Sequence, residues 1–446
     1  MIEKIEHRGV LIRECTLPGE TRADDVFPAQ GNAIRVSRER WLIVYATRGY
    51  RGVDDDRSIV YQLREKSPAG PLIKEGGLAL AHDTWEPFGD GQKFFKEHGH
   101  PVAFGVPAGA RIRGRPAPNA NLFVAKWRIL AKLVKDGRSI HPEPDILQRT
   151  QGVEWVQFRL DDSGDDIEIV QPAGPLRQKG YERSDRFCDA PVKTMNQAFV
   201  QAVPCNDACT EWADCNHFDG GRIAALKYRY NPERGLYEWV EIGPLISDPP
   251  HSLCEASLVR LRDGWAILAR TDNEMKGIAW VRSEDPFRRV ARPVYPGDIE
   301  NNAPVTAYLC PDGVLRLFGG DVAASPHRNG RDPLYCWDVD PASFRSFNRR
   351  VVLDSVAAGL PIRPESGPRV DMCKLVPHAG GREQFLLHRV RVKSIAHPYT
   401  RVIINETEKA LSAIYHAVIT YEESYPPTWE FEDPKSPPAE RTATQA

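Results

Sequence analysis

The chain has 446 residues, a hydrophobic fraction of 41% and ten tryptophans, which is enough apolar material for one large core or several smaller ones. Its formal net charge of -2 argues against a nucleic-acid partner or an anionic membrane surface, since both favour strongly basic proteins. No apolar run reaches the ~18 residues that a membrane-spanning helix requires, so the sequence predicts no transmembrane segment.

Residues 1–20 are charged throughout and lack the apolar stretch of a secretory signal, so we expect a cytoplasmic protein. Nine cysteines, an odd number without framework spacing, are typical of a reducing compartment. Cys205, Cys209, Cys215 and His217 stand close together and could ligate zinc, but their spacing is not one of the standard pairs. The alternative is a cysteine-rich loop with buried or free thiols, and we assign no metal ligand and no cofactor.

Short strand-like runs separated by turn residues fill most of the chain, and alternation with Asp-Gly or Pro-Asp-Gly turns is typical of antiparallel sheets. In order, the predicted strands are 33–36, 41–47, 57–63, 102–106, 121–127, 153–160, 166–170, 198–203, 222–230, 236–242, 255–261, 265–270, 277–282, 304–309, 314–318, 334–339, 370–376, 383–392 and 415–421. Helical patterns are scarce, and we predict short helices at 130–135 and 406–413 alone.

Groups of two or three strands recur at intervals of roughly sixty to seventy residues, which is typical of a propeller whose blades surround a channel. The sequence therefore predicts an all-β fold, a six- or seven-bladed β-propeller. Two all-β domains in tandem would need a linker, and no compositional break lies near the middle. We expect one propeller domain over 1–432 and a disordered, Pro-rich and charged tail over 433–446.

The most regular stretch is 253–287, which reads as three consecutive strands. An Asp-Gly turn at 263–264 joins the first two strands into a hairpin. Glu255 opens the first strand and Arg270 closes the second. Because these two ends of an antiparallel hairpin lie side by side, we expect a carboxylate beside a guanidinium at one rim of the sheet.

Several of these segments resemble the sialidase superfamily of β-propellers. The run NAIRVSRERWLIVYATRGYRGVDDDRSIVYQLR is similar to that family's first blade, where an arginine in an "RIP"-like motif precedes a strand, a second arginine and an acidic turn. The resemblance puts Arg35 at the first position and Arg48 at the second. It puts Asp54, Asp55 and Asp56 in the turn that supplies the family's acid/base aspartate.

Two further segments carry the resemblance. LCEASLVRLRDGWAILART is similar to the family segment that bears a glutamate and the second arginine of its triad, matching Glu255 and Arg270. NGRDPLYCWDVD looks like the strand with the third arginine, which falls on Arg331, and SEDPF is a degenerate Asp-box. Intact S-x-D-x-G-x-T-W boxes are absent, and no tyrosine stands near Asp371, where the family's nucleophile falls. These departures favour a relative that acts on another sugar.

The chemistry implied is glycoside cleavage, which generally uses two carboxyl groups. Asp55 or Asp54 is the candidate acid and Glu255 its partner, while Asp371 is a second group near the substrate and Asn302 a candidate for binding sugar hydroxyls. The arginines Arg35, Arg48, Arg270 and Arg331 would bind an anion such as a sugar carboxylate, because a guanidinium can donate two parallel hydrogen bonds to it.

We therefore predict an exo-acting glycoside hydrolase of the sialidase-like propeller type, acting on an acidic or highly hydroxylated oligosaccharide. Two alternatives remain open from the sequence. One is a polysaccharide lyase on uronate-containing glycans, with His98 or His100 as the base beside Tyr308 or Tyr50. The other is a sugar-binding propeller without catalysis.

Overall fold

Six antiparallel sheets built from consecutive strands follow one another around a central axis. The computed structural model describes residues 1–49, 56–85, 94–135, 138–140, 152–180, 195–198, 202–218, 220–271, 277–301, 303–326, 330–362, 368–392 and 406–432. In these residues no helix is long and apolar enough to cross a bilayer.

The first half of the ring contains blades 1 to 3. Before blade 1 come β1 (Ile2–Ile12) and a 3-10 helix (Arg22–Asp24). Blade 1 consists of β2 (Val26–Arg35), β3 (Arg40–Gly49), β4 (Asp56–Glu65) and β5 (Leu72–Ala79). The segment that forms blade 2 contains β6 (His82–Trp85), β7 (Phe94–Val106), β8 (Ala110–Ile112), β9 (Arg115–Pro116), β10 (Leu122–Lys135), β11 (Arg138–Ile140), β12 (Gly152–Leu160) and β13 (Ile167–Pro175). Blade 3 consists of β14 (Met195–Ala198), β15 (Val203–Pro204), β16 (Glu211–Phe218), β17 (Arg222–Asn231) and β18 (Leu236–Ile242).

The second half contains blades 4 to 6. Blade 4 consists of β19 (Leu253–Leu261), β20 (Gly264–Thr271) and β21 (Ile278–Ser283). Blade 5 consists of β22 (Thr306–Leu309), β23 (Leu315–Gly319), β24 (Leu334–Val339) and β25 (Ser346–Leu353). Blade 6 contains β26 (Arg369–Leu375), β27 (Gly381–Arg391) and β28 (Ala413–Tyr425), with helix α1 (Glu406–Leu411) between the last two. A final short strand is β29 (Glu430–Phe431).

Pairing closes these sheets into a ring. Blade 2 has the order β13-β12-β10-β7-β6 with β11 beside β10, while β8, β9 and β29 form a small separate sheet. The inner strands of successive blades contact one another, and β2 of blade 1 contacts β26 of blade 6. The N-terminal strand β1 is the outermost strand of blade 6, in the order β1-β28-β27-β26. The two halves of the chain are thus hydrogen-bonded together, and the propeller prediction is confirmed with six blades.

Each interface between neighbouring blades buries its own apolar cluster. Phe104 of blade 2 packs with Trp212 of blade 3, and Trp280 of blade 4 stacks on Phe344, which belongs to blade 5. Comparable clusters fill the other four interfaces. Alternation along each strand turns apolar side chains toward both neighbouring sheets, which explains why most central strands are buried on both faces.

The inner strands share a backbone irregularity near the axis. Gln30, His100, Glu255 and Met372 each have a positive φ, between 47° and 61°, and each lies at a break in strand register. A bulge redirects a side chain. A positive φ is uncommon for residues other than glycine, asparagine or aspartate. Four of the six blades therefore carry the same kind of bulge.

Some of the predicted elements were wrong. The predicted helix at 130–135 is the end of β10, which pairs with β7 and β11, so tertiary pairing outweighs the local pattern. The cysteine-rich loop is largely β16. The outer strands β1 and β25 were not predicted because their outward faces are polar and irregular.

The buried imidazole of His388 makes stability pH-dependent. It stacks on Tyr415, and the ring of His7 lies 5.6 Å away at a tilt of 45°. Burial lowers the pKa of His388 to about 3, with the nearby His7 and His416 adding to the effect. Below the ordinary histidine pKa of about 6.5, the unfolded chain binds a proton that the folded chain does not, so acid favours unfolding. As the pH falls from 6 to 4, the free energy of unfolding of the wild type should decrease by roughly 1 kcal/mol per pH unit more than that of His388→Phe. Urea denaturation at pH 7, 6, 5 and 4 measures this difference, and parallel curves for the two proteins would contradict it.

Candidate functional site

Most of the charged side chains near the axis lie at the end of the ring where the inner strands begin. Arg48 at the end of β3 is opposite Phe27 near the start of β2. In blade 4 Arg270 is opposite Cys254, and Arg389 of blade 6 is opposite Asp371. We refer to this end as the axial site, defined by Arg48, Asp56, His100, Arg128, Glu255, Arg270, Arg331, Arg369, Asp371, Lys374, Arg389 and Arg391.

Asp371 is the acidic centre of the axial site. Its Oδ1 accepts hydrogen bonds from Arg389 Nε at 2.9 Å and Nη2 at 2.6 Å, and its Oδ2 accepts one from Arg331. Burial alone would raise the pKa of this carboxyl, but the charges of Arg389 and Arg331 outweigh burial and hold the pKa well below its ordinary value. Asp371 is therefore ionised, and it bridges two guanidinium groups that would otherwise repel each other.

Arg369 is the arginine of this group that lacks a carboxylate. It is half-buried at the start of β26 and makes no hydrogen bond or ion pair within the described part of the chain. Burial and the positive charge of Arg331 lower its pKa to about 9, despite the opposing effect of Asp371. Arg369 is therefore a desolvated cation with other guanidinium groups nearby, those of Arg331, Arg389 and Arg48.

A second carboxylate lies where blade 1 meets blade 2. Asp56 is fully buried, with Arg48 Nε 3.0 Å from its Oδ1 and Arg128 Nη2 2.5 Å from its Oδ2. His100 Nε2 is 4.0 Å from Oδ2. The carboxylate of Asp56 packs directly against Gly99, where a β-carbon would lie 2.1 Å from Oδ2. A glycine is thus required for close packing of the ion pairs.

Glu255 of blade 4 pairs with Arg270, and Lys374 of blade 6 lies within electrostatic range of Glu255. Glu255 Oε2 is 2.9 Å from Arg270 Nη1, and Arg270 Nε donates to the sulfur of Cys254 at 3.2 Å. This is the carboxylate–guanidinium neighbourhood predicted from the hairpin. Lys374 is buried, and burial lowers the pKa of its amine to about 7, although the nearby Glu255 raises it.

The wall of the axis also carries buried amides. Gln30 accepts a hydrogen bond from the backbone N–H of His100 at 2.9 Å, and Asn32 accepts one from Ala103 at 2.9 Å, so both tie blade 1 to blade 2. Their Nε2 and Nδ2 groups have no hydrogen-bond partner among the described residues. Because an unpaired buried amide is costly, this part of the axis is suited to water or a polar ligand.

Not every predicted site residue lies here. Arg35 is at the other end of β2, where its guanidinium donates to the carbonyls of Ser37 and Arg38 and stacks on Phe431. The structure does not bring it to the axial site, because β2 runs the length of the axis and Arg35 is its last residue. Asp54, Asp55 and Asn302 lie outside the described residues.

Two of the residues considered for elimination chemistry, His98 and Tyr308, contact residues of neighbouring strands and blades. His98 Nδ1 is 3.0 Å from the carbonyl oxygen of Arg57, and its Nε2 is 3.7 Å from Glu154. Tyr308 is partly buried, and its hydroxyl donates to the carbonyl of Cys373 at 3.3 Å. These contacts hold His98 and Tyr308 in the framework around the axis.

The cysteine group is divided between two cores. Cys205 and Cys215 pack at the interface of blades 3 and 4, whereas Cys209 packs at that of blades 2 and 3. Burial raises the pKa of Cys205 to about 12 and that of Cys209 to about 11, which disfavours the thiolate that binds metal. In the described residues no three metal-ligating side chains come close enough together to hold an ion.

Sequence reasoning missed Arg369, Arg389 and Arg391. The alternation in RVD at 369–371 and RVR at 389–391 puts the polar side chains of each run on one face of a strand, which was a usable signal. Recognising them as one cluster required the register that places Arg389 opposite Asp371 and Arg391 opposite Arg369.

Substituting Gly99 tests whether the Asp56 ion pairs depend on close packing. An alanine β-carbon would displace the carboxylate from Arg48 and Arg128, so we expect Gly99→Ala to lower the free energy of unfolding by about 2–4 kcal/mol. Gly174 on β13 has open space where a β-carbon would stand, with no atom within 4 Å. Gly174→Ala should therefore change the free energy of unfolding by less than about 0.5 kcal/mol. Chemical denaturation measures both, and equal small effects would contradict the packing argument.

Comparisons with known proteins bear on the fold. No family model matches the sequence, and no curated protein matches it. A protein of unknown function from Dyadobacter fermentans superposes with a TM-score of 0.57 at 10% identity, over 94% of this chain and 100% of that one. Trypanosoma rangeli sialidase superposes with a TM-score of 0.54 at 8% sequence identity, over 93% of this chain and 58% of that one. NanB sialidase from Streptococcus pneumoniae superposes with a TM-score of 0.52 at 9% sequence identity, over 94% of this chain and 70% of that one. The chain therefore has a divergent sialidase-like fold, a six-bladed β-propeller.

Proposed function

We propose that the protein is an exo-acting glycoside hydrolase that binds a terminal sugar acid at the axial site. One observation supports this most directly: among the described residues the site has six guanidinium groups and two carboxylates at its arginine-rich side, and Arg369 has no carboxylate partner. The six groups are those of Arg48, Arg128, Arg331, Arg369, Arg389 and Arg391.

The physical reason for an anionic substrate is the cost of this charge. Two like charges about 4 Å apart repel by about 4 kcal/mol at an effective dielectric constant of ~20. Asp371 offsets part of that repulsion between Arg331 and Arg389, and a substrate carboxylate at Arg369 would offset more. A guanidinium binds a carboxylate through two parallel hydrogen bonds, which also fixes the orientation of the sugar ring.

Glu255 is the proposed carboxyl partner in the cleavage step. It lies on the inner strand of blade 4, in a left-handed backbone conformation that costs energy and is enriched at functional sites. Arg270 pairs with it and fixes its orientation. The acid that protonates the leaving oxygen remains the predicted Asp55 or Asp54.

Hydrolysis of fluorogenic substrates tests the proposal. The panel consists of 4-methylumbelliferyl glycosides of glucuronic acid, galacturonic acid, N-acetylneuraminic acid and 2-keto-3-deoxynononic acid, with the neutral glucoside and galactoside as controls. We expect release of the fluorophore from at least one acidic glycoside and from neither neutral one. Ligand binding without turnover would favour a sugar-binding propeller, and an ultraviolet-absorbing unsaturated product would favour a lyase; either result contradicts the hydrolase.

Arg369→Met separates substrate binding from general damage. Loss of a charge-assisted contact of about 2–3 kcal/mol should lower kcat/KM for the acidic glycoside roughly 100-fold. Arg292→Met is the matched control, because Arg292 is exposed and its neighbours Ala291 and Val294 pair with β21, the outer strand of blade 4. The thermal midpoint of Arg292→Met should stay near that of the wild type, and that of Arg369→Met should not fall, because the substitution removes a guanidinium that neighbouring arginines repel. Equal kcat/KM in the two variants would exclude Arg369 from substrate binding.

A further inference from the structure

A cavity of about 430 Å³ lies at the end of the axis opposite the axial site, and we refer to it as the distal cavity. The axial site surrounds the starts of the inner strands. The distal cavity is instead lined by residues where inner strands end: Arg35 of β2, Gly105 of β7, Leu309 of β22 and Leu375 of β26. Its volume falls in the range of small-molecule sites, which is roughly 300–1,000 Å³.

Aromatic side chains form one wall of the distal cavity. Phe104, Trp212 and Trp429 line it and are 0%, 5% and 6% exposed. The ring centroids of Phe104 and Trp212 are 5.3 Å apart, and those of Trp212 and Trp429 are 6.3 Å apart. All three belong to the apolar cluster between blades 2 and 3. Because close packing fixes these rings in place, the wall favours a flat apolar ligand.

Two polar side chains that also line the distal cavity are bonded to the protein itself. The hydroxyl of Tyr308 donates to the carbonyl of Cys373 at 3.3 Å. The Nε2 group of Gln384 donates to the carbonyl of Val376 at 2.7 Å. Since these groups already have partners, the part of a ligand that lies against them is expected to be apolar.

The chain after β28 closes one side of the distal cavity. The Thr428 hydroxyl oxygen accepts a hydrogen bond from the backbone N–H of His378 at 2.9 Å, and the Thr428 N–H donates to the carbonyl of His378 at 2.8 Å. Beyond Trp429, β29 pairs with β8, so this segment runs from blade 6 to the segment of blade 2. Leu309 and Thr428 are exposed at the rim, where a ligand can enter from solvent.

Arg35 is the cation of the distal cavity, and no acidic side chain lines the cavity among the residues that the structure describes. Its Nε donates to the carbonyl of Ser37 and its Nη2 to that of Arg38, while its guanidinium carbon lies 4.6 Å from the ring centroid of Phe431. Within those residues, Nη1 donates to no group and no carboxylate is within ion-pair distance of Arg35. A half-buried cation beside apolar walls is suited to a ligand anion.

We infer that the distal cavity binds an aromatic monocarboxylic acid, with the carboxylate at Arg35 and the ring against the aromatic wall. The guanidinium supplies a charge-assisted hydrogen bond, and the aromatic side chains supply buried contact area and ring packing. This site does not depend on the proposed hydrolase. A sugar acid is a poor ligand here, because apolar walls would leave its hydroxyl groups without hydrogen-bond partners.

Isothermal titration calorimetry of the full chain with cinnamate tests the inference. The comparison ligands are cinnamyl alcohol, which has the ring without the carboxylate, and octanoate, which has the carboxylate without the ring. We expect cinnamate to bind with a Kd below about 1 mM, at least about 10-fold more tightly than the alcohol and more tightly than octanoate. No measurable binding of cinnamate, or equal binding of either comparison ligand, would overturn the inference.

Three arginine variants locate the bound acid. Arg35→Met should weaken cinnamate binding at least about 10-fold and leave the affinity for cinnamyl alcohol unchanged. Arg8→Met is the matched control, because Arg8 is exposed on β1, and it should leave both affinities unchanged. Arg369→Met reports on the axial site. If it abolishes cinnamate binding while Arg35→Met retains it, the acid binds at the axial site and the inference is wrong.

Leu309 supplies a second pair of variants at the rim. Leu309 is 41% exposed, so both substitutions should leave the thermal midpoint near that of the wild type. Leu309→Glu should weaken cinnamate binding at least about threefold relative to the neutral Leu309→Gln, because the added carboxylate repels the ligand or competes with it for Arg35. If Arg35→Met does not fold, equal cinnamate affinity in these two variants is sufficient to reject the inference.

Discussion

The axial site depends on one electrostatic constraint, the packing of several guanidinium groups around the carboxylate of Asp371. Arg331 and Arg389 share its two oxygens, and Arg48 lies close enough to affect the pKa of Arg389. Such an arrangement is stable only while negative charge is held in the same place. Arg48 of blade 1, Arg331 from the segment before β24 of blade 5, and Arg389 of blade 6 thus form one electrostatic cluster at the point where the ring closes.

The propeller supplies the positions that this constraint requires. Bulges at Gln30, His100, Glu255 and Met372 occur in four blades, and each interrupts the register of its strand pair. The cost of the left-handed conformations is offset by the apolar clusters between blades and by β1, which hydrogen-bonds to β28 in blade 6. A rigid ring of this kind can hold like charges at close range where a flexible loop would relax them apart.

Sequence patterns predicted some of this arrangement and not the rest. The Asp-Gly turn and the alternation on either side were sufficient to place Glu255 beside Arg270, because hairpin register follows from the turn. Arg35 was assigned to the axis from a resemblance, yet a motif does not say at which end of a strand the side chain lies. Arg369 was missed because its significance depends on Arg331, which a different blade segment supplies, on the register that places Arg391 opposite it, and on a bulge that no local propensity predicts.

The central claim is that the arginine-rich side of the axis binds the carboxylate of a sugar acid. Diffraction from crystals grown with glucuronate or N-acetylneuraminate tests it most directly, because the map locates the carboxylate relative to Arg369. The account predicts a carboxylate oxygen about 2.8 Å from the Arg369 guanidinium, with Asp371 still bridging Arg331 and Arg389. A guanidinium of Arg369 paired instead with another carboxylate of the chain, and sugar bound elsewhere or not at all, would contradict it.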